Sequence, residues 1–125
     1  SLRNLGATWY NAGDYGKAVS CFTQALQMRQ SIYGENKAHP DIADSLHALG
    51  AACIYLGDYR KAASCFEQSL HLWKRIHGES TAHPDIAEEL QSLGIVWREQ
   101  GDHVKANSYF AKAERMEQEI ESHKS

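Results

Sequence analysis

The sequence predicts an all-α protein, a right-handed α-solenoid in which three helix-turn-helix units stack as a single domain of residues 1–125. Three observations support this prediction: a 44-residue internal repeat, apolar residues spaced by three and four positions, and glycines between the apolar stretches. We expect the units to cover about residues 1–37, 38–81 and 82–125. The chain is 42% hydrophobic and 23% charged, which is typical of a folded domain rather than of disorder.

The internal repeat is regular along the whole chain. Shifting the sequence by 44 residues aligns eight of the nine glycines and both prolines with one another. A period of about 20 to 50 residues indicates units that each bury one face against the next. The bulky residues that recur are Leu5, Leu49 and Leu93, followed by Phe22, Phe66 and Phe110.

The middle unit contains two amphipathic helices joined by a short turn. Residues 42–56 carry apolar side chains at the spacing of one helix face, and residues 59–76 do so again. Between them, Gly57 can adopt the left-handed conformation that ends a helix, and Asp58 can cap the next one. So short a connection favours an antiparallel helix hairpin. The same Gly-Asp pair follows the first helix of the other two units, at residues 13–14 and 101–102.

The motif His-Pro-Asp stands before the first helix of two units, at residues 39–41 and 83–85. Proline suits the first turn of a helix because it has no amide hydrogen and a fixed φ. The aspartate that follows meets the positive end of the helix dipole. We therefore expect His39 and His83 at the N-cap or just before it, and we assign the motif to helix initiation rather than to catalysis.

Small residues recur at three positions of each unit, and they favour close helix packing. In the middle unit these are Gly50, Ala62 and Ser69. With Leu49, the Gly57-Asp58-Tyr59 turn and Phe66, this pattern resembles the tetratricopeptide repeat. The 44-residue spacing is similar to the long repeats of kinesin light chains and nephrocystin-like proteins. The resemblance implies a non-catalytic module that binds a protein or peptide partner.

In tetratricopeptide arrays the first helix of each unit lines a concave groove, so the resemblance implies a peptide-binding site on these helices. On a helical wheel, the candidate residues lie opposite the apolar face. The pattern of the chaperone-binding carboxylate clamp does not occur at these positions. The candidate groove residues are Arg3, Tyr10, Asp44, His47, Ala51, Ile54, Tyr55, Glu88, Gln91, Ile95 and Arg98.

Charge and motif content argue against several other functions. The formal charge is −3, which gives no reason to expect nucleic acid or an acidic membrane as partner, and no apolar run is long enough to cross a bilayer. The seven histidines lack zinc-site spacing, and the glycines do not form a phosphate loop. We therefore predict no enzymatic activity, no metal and no cofactor. We interpret the three cysteines as reduced thiols in the core, which favours a cytoplasmic protein.

The N-terminal edge suggests a second hypothesis. Leu2, Leu5 and Trp9 keep the apolar pattern of the first helix, although no unit precedes them in the sequence. An exposed apolar edge favours self-association. The alternative to peptide binding is therefore a structural segment of a larger repeat protein that forms a homodimer through this edge.

Overall fold

The computed structural model describes residues 2–34 and 37–124, with side chains described for 4–34 and 37–123. Over these residues the chain forms six α-helices and no strand, as predicted. Each predicted unit forms two consecutive helices. The helices are α1 (Leu2–Asn11), α2 (Tyr15–Tyr33), α3 (Pro40–Leu56), α4 (Tyr59–His77), α5 (Pro84–Glu99) and α6 (His103–Lys124).

The turns inside the hairpins have the geometry that the Gly-Asp pairs predict. Gly57 has φ 82° and ψ 8°, the left-handed conformation, and its N–H donates to the last carbonyls of α3. The Asp58 carboxylate then accepts the N–H of Lys61 at the start of α4, at 3.3 Å. The same arrangement recurs in the other two hairpins.

The His-Pro-Asp motifs begin helices, as predicted. His39 is the N-cap of α3, and its Nδ1 accepts the backbone N–H of Asp41 at 3.1 Å. His83 caps α5 in the same way, accepting from Asp85 at 3.1 Å. Both prolines lie in the first turn. The imidazole therefore takes the capping role that Ser, Thr, Asp or Asn usually fills.

Each hairpin is held together by a phenylalanine ring lying on a glycine. A Cβ atom added to Gly50 would stand 2.9 Å from the ring of Phe66, and the equivalent contacts in the first and third hairpins are as tight. Real Cβ atoms do not approach a ring so closely, so only glycine lets the two helices of a hairpin come together here. The repeated small residues predicted this close approach.

Neighbouring hairpins share a continuous core. Buried residues of α2 to α5 form one cluster, and a smaller cluster joins α5 to α6 around Ile86, Leu90 and Ala113. Ser69 is also buried, and its hydroxyl donates to the Ala43 carbonyl of the preceding helix at 3.1 Å. None of the helices in the described part of the chain combines the length and apolarity needed to cross a membrane. The polar residues near the C-terminus belong to α6, which continues to Lys124.

Candidate functional site

The first helices of the hairpins form the inner side of the stack. Besides its contacts with α2 and α4, α3 packs directly against α5, whereas the second helices have no comparable contact with one another among the described residues. Side chains also bridge α1 to α3 and α3 to α5. We call the surface formed by α1, α3 and α5 the inner face, and the opposite surface of α2, α4 and α6 the outer face.

A small cavity of about 230 Å³ opens on the inner face between the first and second hairpins. The cavity is open because the residues between α1 and α3 at this point are alanines, whose small side chains leave the space unfilled. Phe22 reaches it from α2. Tyr10 and His47 form its polar walls. The cavity is lined by Ala7, Tyr10, Phe22, His47, Ala48 and Ala51.

Three tyrosines pack together at the edge of this cavity. The rings of Tyr15 and Tyr55 are stacked with centroids 4.8 Å apart, and Tyr10 meets both edge-on at 5.5 Å. Burial, together with the hydrogen bond to Tyr55, raises the pKa of Tyr10 to about 12, so its hydroxyl stays protonated. Tyr55 is nevertheless 60% exposed. The cluster therefore offers a rigid aromatic surface with hydroxyl groups beside an apolar cavity.

On the other side of the cavity, His47 is bound to two carboxylates of the next hairpin. Its Nδ1 lies 2.7 Å from Oε1 of Glu89, and its Nε2 lies 3.2 Å from Oε1 of Glu88. Glu88 is exposed, whereas Glu89 is 2% exposed and its Oε2 is buried without a hydrogen-bond partner among the described residues. A histidine with a carboxylate at each nitrogen can donate to both only as the imidazolium.

The pKa values of His47 and Glu89 are both raised, which agrees with a proton held between the two side chains. Burial alone would lower the pKa of His47, but the hydrogen bond and charge of Glu89, with the charges of Glu88 and Asp44, raise it above its ordinary value. Burial raises the pKa of Glu89, although the hydrogen bond and charge of His47 oppose that shift. Both groups therefore hold protons more tightly in the folded protein than in the unfolded chain.

The structure brings some of the candidate groove residues together and leaves others apart. Tyr10, His47 and Ala51 share the cavity, Tyr55 contacts Tyr10, and Asp44 and Glu88 act on His47. By contrast, Gln91 donates to Glu117 of α6, and Arg98 lies 3.8 Å from Glu99 and over the Phe110 ring. Ile54 and Ile95 are half-buried. The side chain of Arg3 lies outside the described residues.

Sequence reasoning missed Glu89 and Tyr15, which contact the polar walls of the cavity. A signal for Glu89 existed, because it follows Ile86 by three residues and precedes Leu93 by four, which places it on the core side of α5. Its equivalent in the middle hairpin, Ser45, is buried too. Tyr15 is the first residue of α2, and only the hairpin turn brings it to the inner face.

A second cluster of titratable groups lies at the junction between the second and third hairpins. Nε2 of His77 lies 3.0 Å from Oδ2 of Asp85, and the ring of His77 stacks on that of His83 with centroids 3.5 Å apart and an angle of 11°. A metal ion lies in the plane of each imidazole that binds it, about 2.1 Å from the nitrogen. Ligand atoms of His77, His83 and Asp85 all lie within 4.8 Å of one another, as metal ligands could, but nearly parallel rings do not direct their nitrogens at a common ion, so in this conformation the arrangement is a ring stack.

The same stack occurs one repeat earlier with a tyrosine in it. Tyr33 stacks on His39 with centroids 3.7 Å apart, and its hydroxyl donates to Oδ2 of Asp41 at 3.0 Å. Nearby, Arg29 donates to the Asp41 carbonyl at 2.7 Å and to Ser45 at 2.8 Å. Each stack therefore joins the end of a second helix to the capped start of the next first helix.

The outer face carries larger crevices, one at each junction between hairpins. The crevice over α5 has a volume of about 740 Å³ and the one over α3 about 380 Å³. Equivalent positions line both, with Ile86 and Leu90 at the base of one and Ile42 and Leu46 at the base of the other. They therefore arise from helix packing that repeats along the stack.

Comparison with models of protein families identifies one family. A sequence profile described as tetratricopeptide repeat matches residues 1–75 and 41–119, which together cover nearly the whole chain. No curated protein resembles the chain closely enough to count as a match.

Several solved structures share the fold at low sequence identity. The TPR domain of Arabidopsis FLU is 24% identical, with a TM-score of 0.78 over 94% of this chain and 92% of that one. BtubC (BKLC) from P. vanneervenii is 22% identical, with a TM-score of 0.85 over 96% of this chain and 46% of that one. A putative kinesin light chain with TPR-like repeats from Podosopora anserina is 18% identical, with a TM-score of 0.80 over 95% and 55%. The chain thus spans about half the length of the last two.

Proposed function

Because this chain belongs to the tetratricopeptide repeat family, we propose that it is a non-catalytic, cytoplasmic interaction module that holds a peptide segment of a partner protein on its inner face. The observation that carries this proposal is the cavity between α1 and α3, with an aromatic cluster on one side and His47 on the other. Peptide sites commonly combine an apolar pocket with a few polar groups that orient the backbone.

The size of the inner-face cavity suits one side chain of a partner peptide. The cavity holds about 230 Å³, which is enough for an aliphatic or aromatic group but not for a drug-sized ligand. Tyr55 offers a further aromatic surface and a hydroxyl beside it. Binding would then depend on an apolar anchor, while neighbouring backbone groups bond to polar side chains of the inner face.

Filling the cavity tests the proposal without removing any core side chain. We expect Ala51→Leu to abolish binding to peptides selected from an array, and Tyr55→Ala to weaken it about tenfold or more. Ala111→Leu makes the same change at an exposed position of α6 on the outer face and is the matched control. Thermal unfolding must show that each variant is folded. Peptide binding that survives Ala51→Leu unchanged would place the site elsewhere.

A second candidate function is structural, with the chain associating through its N-terminal edge. Leu5 is 47% exposed, whereas its equivalents Leu49 and Leu93 are 3% and 0% exposed because a preceding hairpin covers them. A second copy could cover Leu5 in the same way. Sedimentation of the wild type and of Leu5→Glu separates the two functions. A dimer that Leu5→Glu dissociates would favour the structural role, and a monomer at high concentration would contradict it.

A further inference from the structure

Acidic and basic side chains are distributed unevenly between the two faces of the stack. The first helices α3 and α5 carry six carboxylates and a single arginine, Arg98. The second helices α2 and α4 carry six lysines and arginines and a single carboxylate, Glu67. α1 adds one arginine, Arg3, to the inner face, and α6 adds four basic and four acidic residues to the outer face. The inner face therefore remains net negative and the outer face net positive.

The negative charge is concentrated beside the inner-face cavity. Asp44, Glu88 and Glu89 all act on His47, which itself lines the cavity. Arg29 also lies near this group, with its guanidinium 4.0 Å from Asp44. Protonated His47 is a single positive charge between the two carboxylates of Glu88 and Glu89.

The buried carboxylate shows that this group is incompletely satisfied. Oε2 of Glu89 has no hydrogen-bond partner among the described residues, and the nearby Ser69 hydroxyl donates its hydrogen to Ala43 instead. A carboxylate in such surroundings is stabilised by any further positive charge that approaches it. Glu88 is 61% exposed, so a cation can reach this group from solvent.

From these observations we propose that the segment held on the inner face is basic, with a lysine or arginine next to an apolar residue. This inference rests on the proposed peptide-binding function and names the chemistry of its partner. The apolar residue enters the cavity between Tyr10 and Ala51, and the cation lies against Glu88. Because His47 borders the cavity and contacts Glu88, the two subsites are one side chain apart.

An acidic partner segment does not fit the same surface. Arg98, the only lysine or arginine of α3 and α5, lies at the end of α5, where it is 3.8 Å from Glu99 and over the ring of Phe110. An acidic side chain at the cavity would instead meet Glu88, and like charges placed together oppose binding.

Selection from a random library of peptides about 12 residues long, displayed on phage, tests this inference with the intact chain as bait. We expect the enriched peptides to carry lysine or arginine next to an aromatic or aliphatic residue. Parallel selections use Glu88→Lys on the inner face and Glu67→Lys on the outer face of α4, which changes the net charge by the same amount. The basic preference should disappear with Glu88→Lys and persist with Glu67→Lys.

Affinity measurements on one enriched peptide make the test quantitative. We expect its copy with glutamate in place of the basic residue to bind at least about tenfold more weakly to the wild type, and added salt to reduce the difference. If Glu88→Lys does not fold, as judged by circular dichroism, Glu88→Gln serves as a milder variant that should reduce the preference.

The outcomes separate this inference from the function on which it rests. Enriched peptides that are acidic or neutral, yet lose binding with Ala51→Leu, would overturn the basic partner and leave inner-face binding intact. Basic peptides that bind Ala51→Leu and Glu88→Lys as tightly as the wild type would overturn both. A selection that enriches no motif would also overturn the inference.

Discussion

Nδ1 of His47 lies 2.7 Å from Oε1 of Glu89, so a half-buried histidine of the second repeat is paired with a carboxylate buried in the third. The same imidazole borders the inner-face cavity. One side chain therefore takes part in two tasks: it joins neighbouring repeats, and it shapes the surface proposed to bind peptide. Removing a partner of a buried ion pair is costly because it leaves an uncompensated charge.

We predict that the stability of the fold decreases as the pH rises above neutrality, in part because of His47. Burial lowers the pKa of this residue, but Glu89, Glu88 and Asp44 raise it above its ordinary value of 6.5. A group whose folded pKa is raised stabilises the fold fully below its unfolded pKa and ceases to do so as the pH passes its folded pKa. The loss therefore begins near 6.5 and continues above it.

Urea unfolding of the wild type and His47→Gln at about pH 6 and about pH 8.5 checks this prediction. The wild type should lose more stability over that interval than the variant. His71→Gln removes an exposed histidine of the outer face and should behave like the wild type. Identical pH dependence in the wild type and His47→Gln would show that the pair does not titrate as described.

The pairing of His47 with Glu89 predicts strong energetic coupling between the two residues. We expect His47→Ala to destabilise the wild type more than it destabilises Glu89→Gln, because the neutral amide needs no counter-charge. The coupling energy from the double-mutant cycle should lie between about 0.5 and 3 kcal/mol. The control cycle of His47→Ala with Glu67→Gln joins opposite faces and should be additive. Additivity of His47 with Glu89 would contradict the ion pair.

The ring of Phe66 on Gly50 predicts opposite effects for two glycine substitutions. Gly50→Ala should destabilise the fold by about 1 to 3 kcal/mol, because its Cβ would stand 2.9 Å from the ring. Gly16 lies in α2 with only Asp14 near its Cβ position, at 3.8 Å, so Gly16→Ala should stabilise the fold by up to about 1 kcal/mol. Denaturant titrations measure both, and a neutral Gly50→Ala would refute the close approach.

The equivalence of the two ring stacks predicts that their residues can be exchanged. His77→Tyr reproduces Tyr33 of the preceding junction, including a hydroxyl that can reach Asp85. We expect it to change stability by less than about 0.5 kcal/mol, whereas His77→Ala should lose about 0.5 to 1.5 kcal/mol of ring stacking. Thermal unfolding of both variants makes the comparison. A His77→Tyr variant as unstable as His77→Ala would show that the junctions are not equivalent.

The hairpins and their ends were predictable because local rules set them. Gly57 and Asp58 end and begin helices through their own backbone and side-chain chemistry, and His39 lies at the N-cap beside Pro40 as predicted. The contact of Gly50 with Phe66 followed from the pattern of small residues across the repeats. The exact unit boundaries and the use of the groove residues stay predictions.

The candidate site was only partly predictable, since a helical wheel shows which way a side chain points but not which residue it contacts. The wheel placed Tyr10, His47 and Tyr55 on one surface. It could not show that the Gln91 side chain forms a hydrogen bond with Glu117 of α6. The pairing of His47 with Glu89 joins residues 42 positions apart on different helices. Sequence spacing within one helix carries no information about such a contact.

The sequence by itself determined the helices, their caps and the small residues at their crossings, because these depend on interactions within a few positions and repeat every 44 residues. Tertiary structure alone decided which side chains meet between hairpins: Glu89 with His47, the tyrosines of α1, α2 and α3, and the stack of His77 on His83. The physical reason is that the distance between hairpins is set by the whole packed core, which no single stretch of sequence contains.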